Sequence, residues 1–447
     1  MQIPVCMGAI FLAWLPHFLS AYPGYIAYDA LYQIRAYLDH WYNAHHPVIH
    51  SLMLTRAFQS GVNRGDISSG LALYTLVQMM LLAFTFALFL YLLRKMSVPR
   101  YIRIGLLLWY CFFPAHQIMA LGSTKDVLCA GFFLVYITVF ALLLREERTL
   151  SFPEALMLVI AGMMSCLFRN NMSYALLAGG LLTGLFIRPR RKKLLVITLV
   201  LLSVGSGYLA NRFLIHLTKA VQPDQMRETL SMPLQSMART VNQRRDEIDE
   251  ETLSLVEQYI PPETISQYLY FIADAVKNDA NEDMLRENLS SFFRLWLSLG
   301  LRFPDEYVES VAANTIGFWY PLNLPAFLEG GISNRGITEL DQGYVIEYRD
   351  HAPWFQMLFG WLYRVDARSI PVLGFLHRSA FTFWMMLLLT LYSVWKKNRY
   401  MLLLSLTCWM YFGTCFLGPV VFFRYIYCLV CALPLLWLSA YQRPAES

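Results

Sequence analysis

The chain has 447 residues, 57% of them hydrophobic and 15% charged. A soluble domain carries roughly 25% charged residues, so this composition excludes an ordinary water-soluble globule and points to lipid. The formal charge of +5 excludes little as a total; the placement of the basic residues says more.

A spanning helix takes about twenty mostly apolar residues. Candidate spans fall at 3–20, 71–93, 102–120, 126–144, 154–168, 172–187, 194–214, 373–395, 400–417 and 419–440. The fifth and sixth are short and flank Arg169-Asn170-Asn171, so they read as two spans or as one broken span. Lys and Arg gather in cytoplasmic connections. Here they gather at Arg94, Lys95, Arg100 and Arg103, at Arg145 and Arg148, from Arg188 to Lys193, and at Lys396, Lys397 and Arg399. Every second connection is then basic if the break at 168/172 is real, which favours ten spans over nine. Both termini face the cytoplasm in this reading, in a multi-pass protein of the plasma membrane. Segment 3–20 has no basic leading region and no clear small-x-small site, so it reads as a retained span rather than a signal peptide.

The expected fold is all-α: a polytopic membrane protein with about ten transmembrane helices, external juxtamembrane helices and a large, mainly helical extracytoplasmic loop. The chain divides into a transmembrane core at 1–214, which contains an external loop at 21–70, a loop domain at 215–372, and C-terminal helices at 373–447. A helix is expected from Pro47, where the missing N–H costs nothing. Helical patterns in the long loop fall near 247–259, 262–277 and 282–300, and residues 351–364 suit an amphipathic helix at the membrane surface. The run from Arg244 to Glu251 reads as a solvated helix face. All eight cysteines fall in apolar runs, so they read as packing residues with no disulfide and no zinc site. Cys428 and Cys431 form a C-x-x-C in mid-helix. No phosphate-binding loop or dinucleotide fingerprint occurs, which argues against an ATP-driven pump; nothing points to nucleic acid.

Several places carry candidate chemistry. The first external loop holds Tyr28-Asp29-Ala30-Leu31-Tyr32-Gln33 and then His45-His46-Pro47-Val48-Ile49-His50. In a helix from Tyr28, Asp29 and Gln33 share a face; Asp29 is either a base for an acceptor hydroxyl or a helix cap. His46 and His50 share a face at i,i+4, suited to substrate contact, to a metal or to a wet cavity. In Ser123-Thr124-Lys125-Asp126, Ser123 and Asp126 have capping-box spacing. Lys125 at a helix N-terminus opposes the helix dipole unless an anion sits there; the plain alternative is snorkelling. Arg169-Asn170 form the next external turn. Arg424-Tyr425 lie about one turn into the last span, where a charge marks a paired or functional site. In the long loop, Arg239 and Tyr320 stand out as polar and aromatic contacts for a sugar.

The Tyr-Asp-Ala-Leu-Tyr-Gln segment after the first span, the His-His-Pro-Val-Ile-His that follows and the late Arg-Tyr pair resemble the GT-C superfamily of polytopic glycosyltransferases, which includes protein O-mannosyltransferases and the lipid A aminoarabinose transferase. A closer resemblance is to a set of bacterial membrane proteins of no assigned activity that share the Pro-Gly-x-x-x-x-Asp start, the Thr-Lys-Asp turn and the Arg-Asn-Asn turn. It covers most of 1–215 and the last span and says little about 240–310. The resemblance implies an enzyme with Asp29 as catalytic residue, a polyprenyl-phosphate sugar as donor, membrane lipid around the donor's tail, an extracytoplasmic acceptor and inversion at the anomeric carbon. No second acidic residue like the Asp-Glu pair of some members is evident; no cofactor is expected, and a divalent metal gains no further support. Two other readings stay open: a polymerase or ligase of pyrophosphate-linked oligosaccharides, and a lipid or glycan transporter, for which only the break at 168–172 speaks.

Overall fold

Helices begin and end where the sequence supplies the signal. The computed structural model describes residues 2–145, 150–222, 226–321, 338–363 and 371–441. Helix α1 (Ile3–Ser20) is followed by α2 (Tyr28–Leu38) and α3 (Val48–Asn63), the latter capped by Pro47. Asp66 accepts from Ser69 N and starts the long α4 (Ile67–Lys95). Helices α5 (Arg100–Phe112) and α6 (Pro114–Leu121) are one apolar run bent by 51°, because Pro114 lacks the N–H a continuous helix needs. Next come α7 (Lys125–Leu144), α8 (Phe152–Phe168), α9 (Asn170–Phe186) and α10 (Arg190–Thr218). Helix α7 is the centre of the bundle, ringed by α4, α8 and α24 (Phe423–Tyr441). Helix α1 belongs to the same core, with Ile10 and Trp14 fully buried and Trp14 Nε1 donating to Tyr110 O at 2.9 Å. All eight cysteines are buried and free.

The long loop is helical, in shorter pieces than its pattern suggests. It contains α11 (Met226–Thr229), α12 (Ser231–Arg244), α13 (Glu250–Tyr259), α14 (Pro262–Ser266), α15 (Asp274–Lys277), α16 (Glu282–Glu287), α17 (Leu289–Arg302), α18 (Pro304–Asn314) and α19 (Ile316–Trp319). The expected helix over 262–277 is split because 269–273 leave it to bond outward, Ala273 N donating to Pro419 O at 2.7 Å. The one over 282–300 breaks at Asn288. Leu234, Val241, Val256 and Phe292 anchor a hydrophobic core of this unit's own. A two-stranded ribbon, Thr338–Glu339 with Val345–Ile346, supplies the only strands among the described residues. Helix α20 (Pro353–Tyr363) confirms the expected helix there; Phe355 and Tyr363 pack on His17 of α1, while Trp354, Met357 and Trp361 are exposed. Arg364 lies outside the described residues. Helices α21 (Pro371–Leu376), α22 (Ser379–Trp395) and α23 (Arg399–Phe416) lead to α24.

The chain is all-α and carries membrane-type helices. By length and composition five helices suffice to cross a bilayer, namely α1, α4, α7, α10 and α24, or six with the bent α5–α6 pair. Ten are expected and five or six are clear by this measure; α8 and α22 are apolar but have 17 residues each, about 26 Å of helix against about 30 Å of hydrocarbon. The break between α8 and α9 is real and falls at Arg169.

The basic connections meet at one end of the bundle. Lys95 pairs with Glu154 at 2.7 Å, Arg145 Nη2 donates to Met96 O at 3.2 Å, Lys192 Nζ donates to Leu144 O at 3.1 Å, and Arg399 donates to Phe186 O. Arg148 lies outside the described residues. At the other end the connections are stitched together. Ala44 N donates to Val221 O and Val221 N to Tyr42 O, both at 2.8 Å; Arg349 N donates to Tyr22 O at 2.9 Å.

Candidate functional site

The site is assembled by a short pairing of two turns, the one after α1 and the one before α7. Tyr25 N donates to Leu121 O and Ser123 N to Tyr25 O, both at 2.9 Å. Ala27 N donates to Ser123 Oγ at 2.9 Å. Gly24 makes the approach feasible: its φ is +116°, and a Cβ there would stand 2.5 Å from Thr75 Oγ1, so only glycine fits. This stitching sets the start of α7 beside the start of α2.

Asp29 is thereby placed against two cations. Arg424 Nη1 lies 3.0 Å and Lys125 Nζ 3.4 Å from the same oxygen, Oδ2. Oδ1 makes no hydrogen bond among the described residues. Ala27, not Asp29, is the N-cap of α2, so the capping alternative for Asp29 is not what the structure adopts. Burial by itself raises an aspartate, yet Lys125 and Arg424 outweigh it and hold the carboxyl well below the usual carboxylate range. Arg424 is the second residue of α24 rather than one turn inside it, and is buried.

A second carboxylate, which the sequence reading left out, completes the cluster. Asp126 is fully buried, accepts from Arg169, and stands 3.9 Å from Arg424 Nε. Its capping role falls away because Thr124, not Ser123, caps α7; Ser123 has turned to the Tyr25 turn. Arg169 reaches Asp126 because the α8–α9 break points it inward, where the Tyr425 ring covers its guanidinium at 4.6 Å and Tyr411 at 5.8 Å. Lys125, Arg169 and Arg424 therefore do converge, facing two carboxylates and leaving one positive charge uncompensated among these five.

The histidines part company. His46 lies before α3 begins, with Nδ1 3.4 Å from Lys125 Nζ. His50 lies within α3 and bonds to Gln33 and Tyr74, so the two do not form the i,i+4 pair of one helix that the spacing suggested. Burial, then Lys125, pushes both rings down, His50 to about 3; His45, half-buried, is lowered too, by burial first. His50 sits in a buried chain whose proton order can be deduced. Gln78 Nε2 donates to Ala120 O and Gly122 O, so its Oε1 accepts from Tyr74 OH at 2.8 Å. Tyr74 has no second proton and accepts from His50 Nε2 at 2.8 Å. The neutral His50 Nδ1 is then an acceptor and lies 2.8 Å from Gln33 Oε1, so this proton order requires the Gln33 amide to be turned end for end, its NH2 toward the ring. Gln33 is thus buried against His50 and Ser51 rather than beside Asp29 in the opening.

Other predicted residues fall elsewhere. Tyr28 is exposed and Asn170 lies exposed at the start of α9, its neighbour Asn171 making the inward bonds to Arg169 and Thr414. Tyr425 lines the cluster through its ring. Arg239 does not join: its guanidinium is taken by Glu306 at 2.9 Å and by Glu309. Tyr320, at the end of α19, makes an edge contact with Trp319 and lies with the α22 helix, not with Asp29. Among the described residues, no group of three or more His, Cys, Asp or Glu is placed to hold a metal ion.

Chemically, the arrangement can bind a single negative charge at the N-terminus of α7 and present a carboxylate oxygen beside it. No curated protein and no solved structure matches the chain. By a match over residues 39–447, which begins after Asp29, the chain belongs to DUF6020, a family of unknown function.

Proposed function

We propose that this protein is a glycosyltransferase that moves a sugar from a polyprenyl-phosphate donor to an extracytoplasmic acceptor such as an envelope glycan, lipid or protein. The observation that carries the reading is the shared oxygen of Asp29, held by Lys125 and Arg424 in a cluster with one positive charge in excess. A sugar–phosphate–lipid diester carries one negative charge and balances it. In the reaction, the acceptor oxygen bonds to the anomeric carbon as the bond to the phosphate oxygen breaks. The acceptor proton passes to Asp29 Oδ1, and the phosphate leaves with a second negative charge. Protonation of Asp29 frees one more cationic charge, so the site is neutral before and after transfer. Lys125 and Arg424 stabilise the charge that grows on the leaving phosphate. A pyrophosphate-linked donor brings more negative charge than the cluster offers, which favours the phosphodiester over the polymerase or ligase reading.

The same reading includes ten spans with both termini cytoplasmic, in the bacterial plasma membrane. Its support is the separation of the two ends of the bundle: the basic connections at one, and the turns at Lys125, Arg169 and Arg424 at the other. The test is transfer from labelled undecaprenyl-phosphate sugars by the purified protein in lipid. Turnover with these donors is expected. Turnover only with pyrophosphate-linked oligosaccharides moves the assignment to a polymerase or ligase, and none with either, in folded protein, moves it to transport.

A further inference from the structure

The two cations on Asp29 Oδ2 are held very differently. Arg424 is 5% exposed, lies near Asp126 as well as Asp29, and is flanked by the rings of Phe422 and Tyr425. Arg169 is fixed on Asp126. Lys125 makes only two long contacts, each 3.4 Å, to Asp29 and to His46 Nδ1, and its side chain is 18% exposed. An ammonium only donates, so His46 Nδ1 carries no proton and the ring is neutral. Lys125 also stands at the N-terminus of the 20-residue helix α7, where an anion is favoured and a cation is not. Of the three cations, it alone gains by exchanging its present partners for a phosphate.

We infer that Lys125 is the exchangeable member of this cluster: the donor's phosphate draws it off Asp29 Oδ2, and Asp29 becomes competent as a base only once the donor is seated. This rests on the donor reading above and adds an order to it, donor before acceptor. The physical cause is electrostatic. Asp29 with two cations on one oxygen is a poor proton acceptor; with Lys125 withdrawn and a negative phosphate close by, its proton affinity rises toward the working range. The charged groups facing it decide this balance. From α7 they are Lys125 and Asp126, from α24 Arg424, and from the α8–α9 break Arg169. His45, His46 and His50 approach from the α3 side, and Glu228 and Lys277 of the long loop act on His45.

The test avoids turnover. Farnesyl methyl phosphate, a prenyl phosphodiester with a fixed single charge, is titrated into the full-length protein in detergent at about pH 5, near the carboxylate range. Calorimetry in two buffers of different ionisation heat then gives the protons taken up on binding. We expect wild-type protein to take up a substantial fraction of a proton, up to about one per site, and Asp29→Asn to take up less by that amount. Lys125→Met, checked for an unchanged elution profile, loses that uptake and binds at least about tenfold more weakly. Binding without proton uptake, uptake that persists in Asp29→Asn, or Lys125→Met binding as tightly as wild type each overturns the exchange while leaving the donor reading standing. Failure of the wild type to bind the diester at all overturns both.

Discussion

In the helical unit of the long loop, Glu306 is shared by Arg239 and Arg244, one on each carboxylate oxygen at 2.9 Å. At the end of the bundle opposite the basic connections, Asp29 is likewise shared by two cations, but both sit on one oxygen. Around Glu306 stand further carboxylates, Glu309, Asp305 and Glu247, with exposed side chains; around Asp29 stands a further cation, Arg169, with one buried carboxylate. The first arrangement saturates its guanidiniums and fastens α12 to α18. The second leaves a carboxylate oxygen and a positive charge over. A carboxylate shared by two cations thus gives a staple in one place and a candidate reaction centre in the other, and the difference lies in what remains unmatched.

The sharpest way to break that comparison is to neutralise each shared carboxylate. Asp29→Asn is expected to lower transfer by about 10²–10⁴-fold in protein that still folds, measured with the labelled donor; Glu306→Gln is expected to leave transfer within about threefold, a change worth less than about 1 kcal/mol. Equal losses in both variants would erase the distinction. Next in size, Arg169→Met strands the fully buried Asp126, costing about 3–5 kcal/mol in denaturant unfolding, and Asp126→Asn in the same chain restores part of it.

Acidification gives a smaller effect. His50 has its pKa lowered from 6.5 to about 3 by burial and then Lys125. A group depressed in the folded state contributes stability that is present above pH 6.5 and drains away as the pH falls toward 3. By about pH 4 the loss is roughly 3 kcal/mol, and thermal unfolding of His50→Gln should show a correspondingly flatter acid slope. Asp29, also depressed, acts in the same direction at still lower pH. The smallest effect belongs to the staple's rim: Glu309→Gln, at a side chain 66% exposed, should change unfolding free energy by less than about 0.5 kcal/mol.

The parts of this picture legible in the sequence are those that violate a local rule. Lys125 opposes a helix dipole, Arg424 carries charge into an apolar helix, and Asp29 opens a helix next to the membrane; each needs a partner, and they turn out to be partners of one another. Asp126 was hidden because its spacing from Ser123 offered a sufficient local role, but Thr124 rather than Ser123 caps the helix. Arg239 misled for the reverse reason: its partner Glu306 is 67 positions away, beyond any local pattern. Long apolar helices were equally plain, whereas α12 was not. Its buried Leu234, Met237 and Val241 are interspersed with Ser236, Thr240 and Gln235, which are buried too, so no clean apolar stripe appears. Span count was obscured because broken and bent helices share their apolar length between two pieces.

The Asp29–Arg424 contact joins residues 395 positions apart. Closing so long a stretch of chain is delayed until the last helix has packed. The loop that carries Asp29 therefore stands beside Lys125 with its carboxylate half-matched until α24 is in place, and a fragment that lacks α24 lacks Arg424 and with it one of the two cations on Asp29 Oδ2.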